Sequence, residues 1–376
     1  MKAIPRLEDL GELAGRSVLV RNDFNVPLRD GEIVDDLRIR AALPTLRFLV
    51  EGGAQVTACT HVGRPNGQPD PAFSVEPIRE RLNEWVPGVE LLENLRFHPG
   101  ETSNDPAFVQ ELIAGHDLYV NDAFGASHRA HASIVGPPQF LRSAAGRLLA
   151  REVDMFSGIL AAPRRPFVAV MGGSKISDKL AVIEALLEVV DALVVGGGMC
   201  FTFLKAQGHP IGSSLCEDDM VETCRELLAG PKPIHLPHDL TVLGPGGRLM
   251  APEAGGEVRQ VGASVPDGWI GVDIGPGTAA AFGDLIHEAG TVLWNGPMGV
   301  FEDPRFAGGT GAVAQAMADT RAFTVVGGGD SAAAAKQFGL DREMDHVSTG
   351  GGASLELIEK GDLPGLAVLR GAPNGV

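Results

Sequence analysis

Two lysines four residues apart follow a glycine pair in "VAVMGGSKISDKLAVIEALL" (residues 168–187). That spacing predicts Lys175 and Lys179 on one face of the first turns of a helix. A helix N-terminus already carries partial positive charge and prefers acidic side chains, so cations there imply an anion beside them. Glycine-led helix starts are where phosphates bind. The plain alternative is a solvated helix start with functionless lysines. The pair stands against the trend of the chain, whose formal net charge is −17.

Three triple-glycine runs, Gly196–Gly198, Gly327–Gly329 and Gly350–Gly352, join Gly172–Gly173 as possible backbone cradles. The first two runs and the glycine pair each end an apolar, β-rich stretch. Ligands of open α/β sheets bind just beyond strand C-termini, and glycine lets backbone amides come close to them. One such pair is usually a turn; this many at one sheet edge predict a nucleotide site. Neither G-x-x-x-x-G-K-[ST] nor a G-x-G-x-x-G after a strand is present. Asp330 follows the "VVGGG" strand end, where a carboxylate suits Mg²⁺ beside phosphates; it would serve equally as the N-cap of the next helix.

The first half carries its cations as arginine and histidine. Arg21, His61 with Arg64 in "THVGRP", Arg96 in "ENLRFH" and Arg129 in "GASHRAH" all fall near predicted strand ends, and Arg38 opens a helix. Singly, such arginines are surface decoration, and His128 or His131 is more often structural. Gathered at one edge they repel one another unless an anion joins them, and the guanidinium fork suits carboxylate and phosphate. Asp23, two residues after Arg21, lies on the same side of a strand. It could orient that arginine or accept a hydrogen bond from a substrate hydroxyl. The first half thus reads as a receptor for a small, multiply anionic, hydroxylated molecule.

The elements that must position these residues alternate. Predicted strands are "SVLVRNDF", "QVTACTHV", "VELLEN" and "DLYVND", then "PFVAVMGG", "ALVVGGGM", "TVLWNGP" and "FTVVGGGD", with helical patterns between. Continuous apolar strands alternating with helices predict parallel sheets covered on both faces, an α/β fold. With 376 residues, two domains are expected. Residues 142–166 read as one helix joining them, and the last stretch, "ASLELIEKGDLPGLAVLRG", as a helical piece followed by an extended one.

A hydrophobic content of 44% and charged content of 21% suit a soluble globular chain. The acidic balance argues against nucleic-acid and membrane-surface partners. No signal core, transit peptide or membrane-length run is apparent. The four cysteines, Cys59, Cys200, Cys216 and Cys224, lack metal spacing and read as reduced thiols, which fits the cytoplasm.

The ordered set "VRNDFNVPL", "THVGRPNG", "LLENLRFHPGE", "NDAFGASHRAHAS", "GGSKISDKL", "VVGGGM", "WNGPMGVFE", "VVGGGDSAAA" and "VSTGGGASLELI" resembles phosphoglycerate kinase from about residue 17 to 359. The resemblance implies two Rossmann-like domains joined by a hinge helix. It assigns 3-phosphoglycerate to residues 1–150, a hinge to 151–166, Mg-ADP or Mg-ATP to 167–355, and a segment 356–376 that returns to the first domain. It implies that Arg21, Asp23, Asn25, Arg38, His61, Arg64, Arg96 and Arg129 bind 3-phosphoglycerate. Lys175 would meet the transferring phosphoryl group, with Arg38 and Gly351 beside it. Lys179, Gly173, Gly197, Glu302, Gly328, Gly329, Asp330 and Ser331 would hold the nucleotide, Glu302 at the ribose and Asp330 at the metal. Thr60, Val62 and Ser331 depart from the residues common in that family without removing a charge.

The implied reaction moves a phosphoryl group reversibly between 1,3-bisphosphoglycerate and ADP. Its nucleophile in the ATP-consuming direction is a carboxylate, ionised at neutral pH because such groups titrate near ~3.5. No general base is required; the work is domain closure and charge stabilisation. The family suggests a monomer. Two rival readings are a nicotinamide-dependent dehydrogenase, disfavoured by the missing G-x-G-x-x-G, and a non-catalytic anion- or nucleotide-binding module.

Overall fold

The apolar runs that the sequence offers as strands pair in parallel, forming two separate sheets. In the computed structural model, which describes residues 3–29 and 31–372, the chain divides into two units. One runs to Ser157 and includes the segment from Lys360 onward; the other is Gly158–Glu359.

The first unit holds β1 (Ser17–Asn22), β2 (Gln55–Cys59), β3 (Val89–Leu91), β4 (Leu118–Asp122) and β5 (Arg142–Ala145). Their order is β3-β2-β1-β4-β5, every neighbouring pair parallel. All of β4 and all of β1 after Ser17 are buried, as helices on both faces of a parallel sheet require. Because β2 and β4 flank β1 on opposite sides, the loops that follow β1 and β4 diverge and leave a crevice at that edge.

Residues 142–166 do not form one helix. Arg142–Ala145 pairs with Leu118–Asn121 as β5, and the helix spans Arg147–Ala161. The break is enforced at Gly146, where a Cβ would collide with the Asp122 carboxylate. That carboxylate accepts the N–H groups of Leu148 (2.9 Å) and Leu149 (3.2 Å), while the Thr45 hydroxyl accepts from Arg147 (2.9 Å). Orphan donors of the first turn are thus satisfied from β4 and from the helix Leu37–Glu51.

Burial pushes the Asp122 carboxyl up to about 6, against the opposing hydrogen bonds of Thr45, Leu149 and Leu148. A carboxyl with a raised folded value favours folding fully below about pH 4 and loses that contribution as pH rises through about 6. Asp122→Asn removes the titration. The melting temperature of the parent relative to this variant is therefore expected to fall between about pH 4 and about pH 7.5 in a calorimetric series. A difference constant across that range contradicts the assignment.

The second unit holds β6 (Phe167–Met171), β7 (Ala192–Val195), β8 (Ile234–His235), β9 (Thr291–Asn295), β10 (Phe323–Val326) and β11 (His346–Val347). Their order is β8-β7-β6-β9-β10-β11, again parallel, with the switch of direction between β6 and β9. A separate antiparallel sheet joins Asp239–Leu243 to Val258–Gly262 and Ile270–Ile274. Trp294, Val170, Val194 and Val326 pack with Phe282 and Met317 in the core of this unit. Among the described residues no helix is long and apolar enough to cross a membrane.

Two further expectations change. The helix after β6 begins at Leu180, so Lys179 occupies its N-cap position and Lys175 lies in the preceding loop. The loop is held open because Glu217 accepts the Ile176 N–H (2.7 Å), the Ser177 N–H (3.1 Å) and the Ser177 hydroxyl. At the C-terminal end, the segment expected to be extended is a second helix, Pro364–Arg370, following Gly352–Lys360. Proline is tolerated at its first position, Leu366 and Leu369 are buried, and the Gly365 N–H donates to the Ser127 carbonyl at 2.9 Å. The last four residues of 356–376 lie outside the described residues.

Candidate active site

In the first unit, the predicted cations gather around the crevice beside β1. Arg21 has no exposed surface. Its Nε donates to Ser133 Oγ (2.8 Å), its Nη2 to His61 Nδ1 (3.0 Å) and its Nη1 to the Asn22 carbonyl. Arg38 Nη1 reaches both oxygens of Asp23 at 3.1 Å and the Asn25 carbonyl at 3.3 Å. Asp23 therefore orients Arg38 and not Arg21; β1 ends at Asn22, and strand alternation does not govern the residue beyond it. The Asn25 side chain accepts the Gly63 N–H (2.9 Å), and Arg96 Nη1 donates to the Gly63 carbonyl (2.7 Å). Arg64 and Arg129 are exposed.

These groups lie close enough to oppose one another's charge. Burial, then Arg21, Arg96, Arg38 and His131, hold His61 well below its ordinary value. Burial, then Arg96, Arg21, Arg129 and His128, bring His131 down to about 4. Burial followed by Arg21 and Arg129 brings Arg96 down to about 10. Each cation resists its neighbours, so the patch is strained toward accepting an anion. Arg96 Nε and His131 Nδ1 are buried without a hydrogen bond, and each such unmet atom costs roughly 1–3 kcal/mol.

In the second unit, Lys179 spans the switch between β6 and β9. Its ammonium donates to the Gly172 carbonyl (2.7 Å), Asn295 Oδ1 (2.6 Å) and the Asn295 carbonyl (3.2 Å). Burial lowers it to about 8 against the pull of Asp330 and Asp178. Lys175 is exposed four residues earlier. The strand-end glycines serve partly one another: the Gly173 N–H donates to the Pro297 carbonyl (3.1 Å), and the Gly197 N–H to that of Met298 (3.0 Å). Gly328 is the N-cap of the helix Gly329–Gln337, so Asp330 sits exposed in the first turn and is not the cap. Ser331 is fully buried and its hydroxyl accepts the Gly296 N–H at 2.5 Å. Glu302 is exposed in the turn after β9. Gly351, at φ 50°, precedes the helix Gly352–Lys360, and nothing lies within 4 Å of where its Cβ would be.

Sequence reasoning missed Glu101, Ser133 and Asn295. The first two form a buried relay behind Arg21, and Asn295 ties Lys179 to the Gly327 carbonyl (2.8 Å). Glu101 stands in "FHPGE" and Asn295 in "WNGP", a lone acid and a lone amide among cations and glycines, which was the available signal.

Comparison with known proteins gives the family of the chain. The family model described as phosphoglycerate kinase matches residues 7–90 and 86–361. A phosphoglycerate kinase of Salinispora arenicola is 53% identical, covering 98% of this chain and 99% of that one. One of Rubrobacter xylanophilus is 51% identical, covering 95% of this chain and 96% of that one. The solved structure of phosphoglycerate kinase from Coxiella burnetii superposes with a TM-score of 0.89 at 37% identity, covering 98% and 99% of the two chains. The chain belongs to the phosphoglycerate kinase family.

Proposed function

We propose that this chain is a monomeric, cytoplasmic phosphoglycerate kinase, moving a phosphoryl group reversibly between 1,3-bisphosphoglycerate and ADP. The observation that carries the reading is the cation patch itself, with Arg21 fully buried against His61 and Ser133, Arg38 fixed on Asp23 and Arg96 on the Gly63 carbonyl. A small molecule bearing a phosphate and a carboxylate supplies the negative charge that this patch lacks. Arg38, held by Asp23, and the exposed Arg64 and Arg129 grip 3-phosphoglycerate alongside His61 and Arg96, with Arg21 behind them and Asn25 fixing the loop. The nucleotide lies over Gly173 and Gly197, with its phosphates toward Lys175, Lys179 and the helix start at Gly328, Gly329 and Asp330. Glu302 meets its ribose.

The acceptor carboxylate is already ionised, so no side chain need remove a proton. Lys175, Arg38 and the backbone N–H groups at Gly351 and Gly352 neutralise the charge that spreads over the equatorial oxygens. Asp330 fits Mg²⁺: an exposed carboxylate beside a phosphate cradle supplies the one protein oxygen that this hard cation takes alongside phosphates and water. Held there, the ion would offset the negative charge of the nucleotide phosphates. Donor and acceptor residues belong to different units, so turnover requires the units to close on their substrates, which also excludes water.

A coupled assay of ATP consumption tests the reading. Turnover is expected only with 3-phosphoglycerate present and is expected to stop when a chelator removes Mg²⁺. In small-angle scattering, the radius of gyration is expected to shrink when both substrates are added. ATP consumption independent of 3-phosphoglycerate, or none at all, overturns the assignment.

A further inference from the structure

Glu101 brings a carboxylate with no exposed surface into the cation patch. It lies in the short helix Gly100–Ser103 and faces Ser133 of the short helix Ala132–Val135. Glu101 Oε2 accepts the Ser133 N–H at 3.0 Å, and Oε1 accepts the Ser133 hydroxyl at 2.7 Å. The single hydroxyl proton is thereby committed to Glu101. Ser133 Oγ is left to accept, and Arg21 Nε donates to it at 2.8 Å. The Tyr119 hydroxyl fixes Ser133 from another side by donating to its carbonyl at 2.6 Å.

A guanidinium has five N–H donors and no acceptor. Arg21 Nη2 lies 3.0 Å from His61 Nδ1, so Nδ1 must be the acceptor and bears no proton. A neutral imidazole with a bare Nδ1 carries its hydrogen on Nε2. We propose that Glu101 and Ser133 are positioning residues that act through Arg21 to hold His61 as the neutral Nε2–H tautomer, a donor to an anionic oxygen of the phosphoglycerate. This rests on the kinase reading for the substrate, while the tautomer itself does not.

The arrangement solves an electrostatic problem. An imidazolium here would add charge to a patch that already holds Arg21, Arg38 and Arg96, and the ring is held well below its ordinary value by burial first and then by its cationic neighbours. A neutral donor reaches the anion without that repulsion. The Glu101 carboxylate also lies 3.8 Å from His131 Nδ1. Glutamine could not replace it. With its oxygen on the Ser133 N–H, an amide turns its N–H₂ toward the Ser133 hydroxyl, which then accepts and loses the carboxylate that fixed its own proton.

The test uses the full chain with ¹⁵N-labelled histidine and no substrate. Long-range ¹H–¹⁵N correlation near neutral pH, with His61→Gln used to assign the signal, is expected to show His61 with an unprotonated Nδ1 and a protonated Nε2. In Ser133→Ala and Glu101→Gln the pattern is expected to become mixed. KM for 3-phosphoglycerate should rise about tenfold, with kcat changed less than about threefold. Ser133→Thr, which keeps the hydroxyl, should restore both. An imidazolium or an Nδ1–H tautomer in the parent overturns the proposal, even if a variant fails to fold. So does an unchanged pattern with unchanged KM in both variants. An intact Nε2–H tautomer in a chain with no phosphoglycerate turnover instead overturns the kinase reading and, with it, the substrate assigned to His61.

Discussion

Lys175→Ala is expected to lower kcat at least about a hundredfold while leaving the melting temperature in place. The rate effect follows from the role proposed for this lysine. One well-placed cation on the developing charge of a phosphoryl transfer contributes roughly 3 kcal/mol, which is about two powers of ten in rate. The stability side follows from the loop. Lys175 is exposed, and the backbone around it is held by Glu217 through Ile176 and Ser177, not by the lysine itself. Lys179 is different. It is anchored on three oxygens across β6 and β9, so its loss should harm stability together with activity. Steady-state kinetics with parallel thermal melts separate the two. A kcat within a few-fold of the parent for Lys175→Ala removes it from the chemistry.

Gly197→Ala is expected to unfold the second unit at a markedly lower temperature. Gly197 has φ 66°, and a Cβ there would stand 2.6 Å from the Gly173 nitrogen, 2.7 Å from the Gly173 oxygen and 2.8 Å from the Pro297 oxygen. All three are backbone atoms, which cannot swing aside as a side-chain tip can. Left-handed strain and overpacking each cost about 1–3 kcal/mol, so a combined loss near ~3 kcal/mol is expected. For a unit of this size that is a drop of roughly 6–12 °C. Gly329→Ala is the contrast, since nothing lies within 4 Å of its Cβ position and its melting temperature should stay close to the parent's. Equal melting of all three proteins contradicts the packing argument.

The run of glycines at strand ends predicts close approach of a ligand to the backbone. In the structure the closest approach at Gly197 is by the neighbouring strand-end loop. The two are compatible, because loops that crowd together at a sheet edge leave no room for side chains between themselves and a ligand.

Much of the molecule was legible from its residues. The runs Val18 to Val20, Val168 to Val170 and Leu193 to Val195 are buried strand interiors, and an unbroken apolar run between helical patterns permits little else than a parallel strand. The gathering of Arg21, Arg38, His61 and Arg96 was legible too, because all fall near the ends of strands or the start of a helix that share one sheet edge. The helix boundaries were less so. "RSAA" at 142–145 carries no β-branched or aromatic residue, and only the open edge of β4 makes it a strand. The proline and glycine of "DLPGLAVLRG" suggest an extended end. They instead start a helix, because Leu366 and Leu369 find a buried surface and Gly365 fits against Ser127.

Residue types and their order along the chain thus determined the two sheets, the separation of an arginine-rich from a glycine- and lysine-bearing half, and the kinship with a kinase family. Tertiary structure alone decided which partner each charge takes. Asp23 pairs with Arg38 and not with Arg21, Lys179 reaches Asn295, 116 residues away, and Glu101 reaches Arg21 through Ser133. The physical reason is range. Periodicity and composition record whether a side chain is buried and which way it alternates. Hydrogen-bond partnership is fixed within about 3 Å by chain segments that meet only once the sheets have formed.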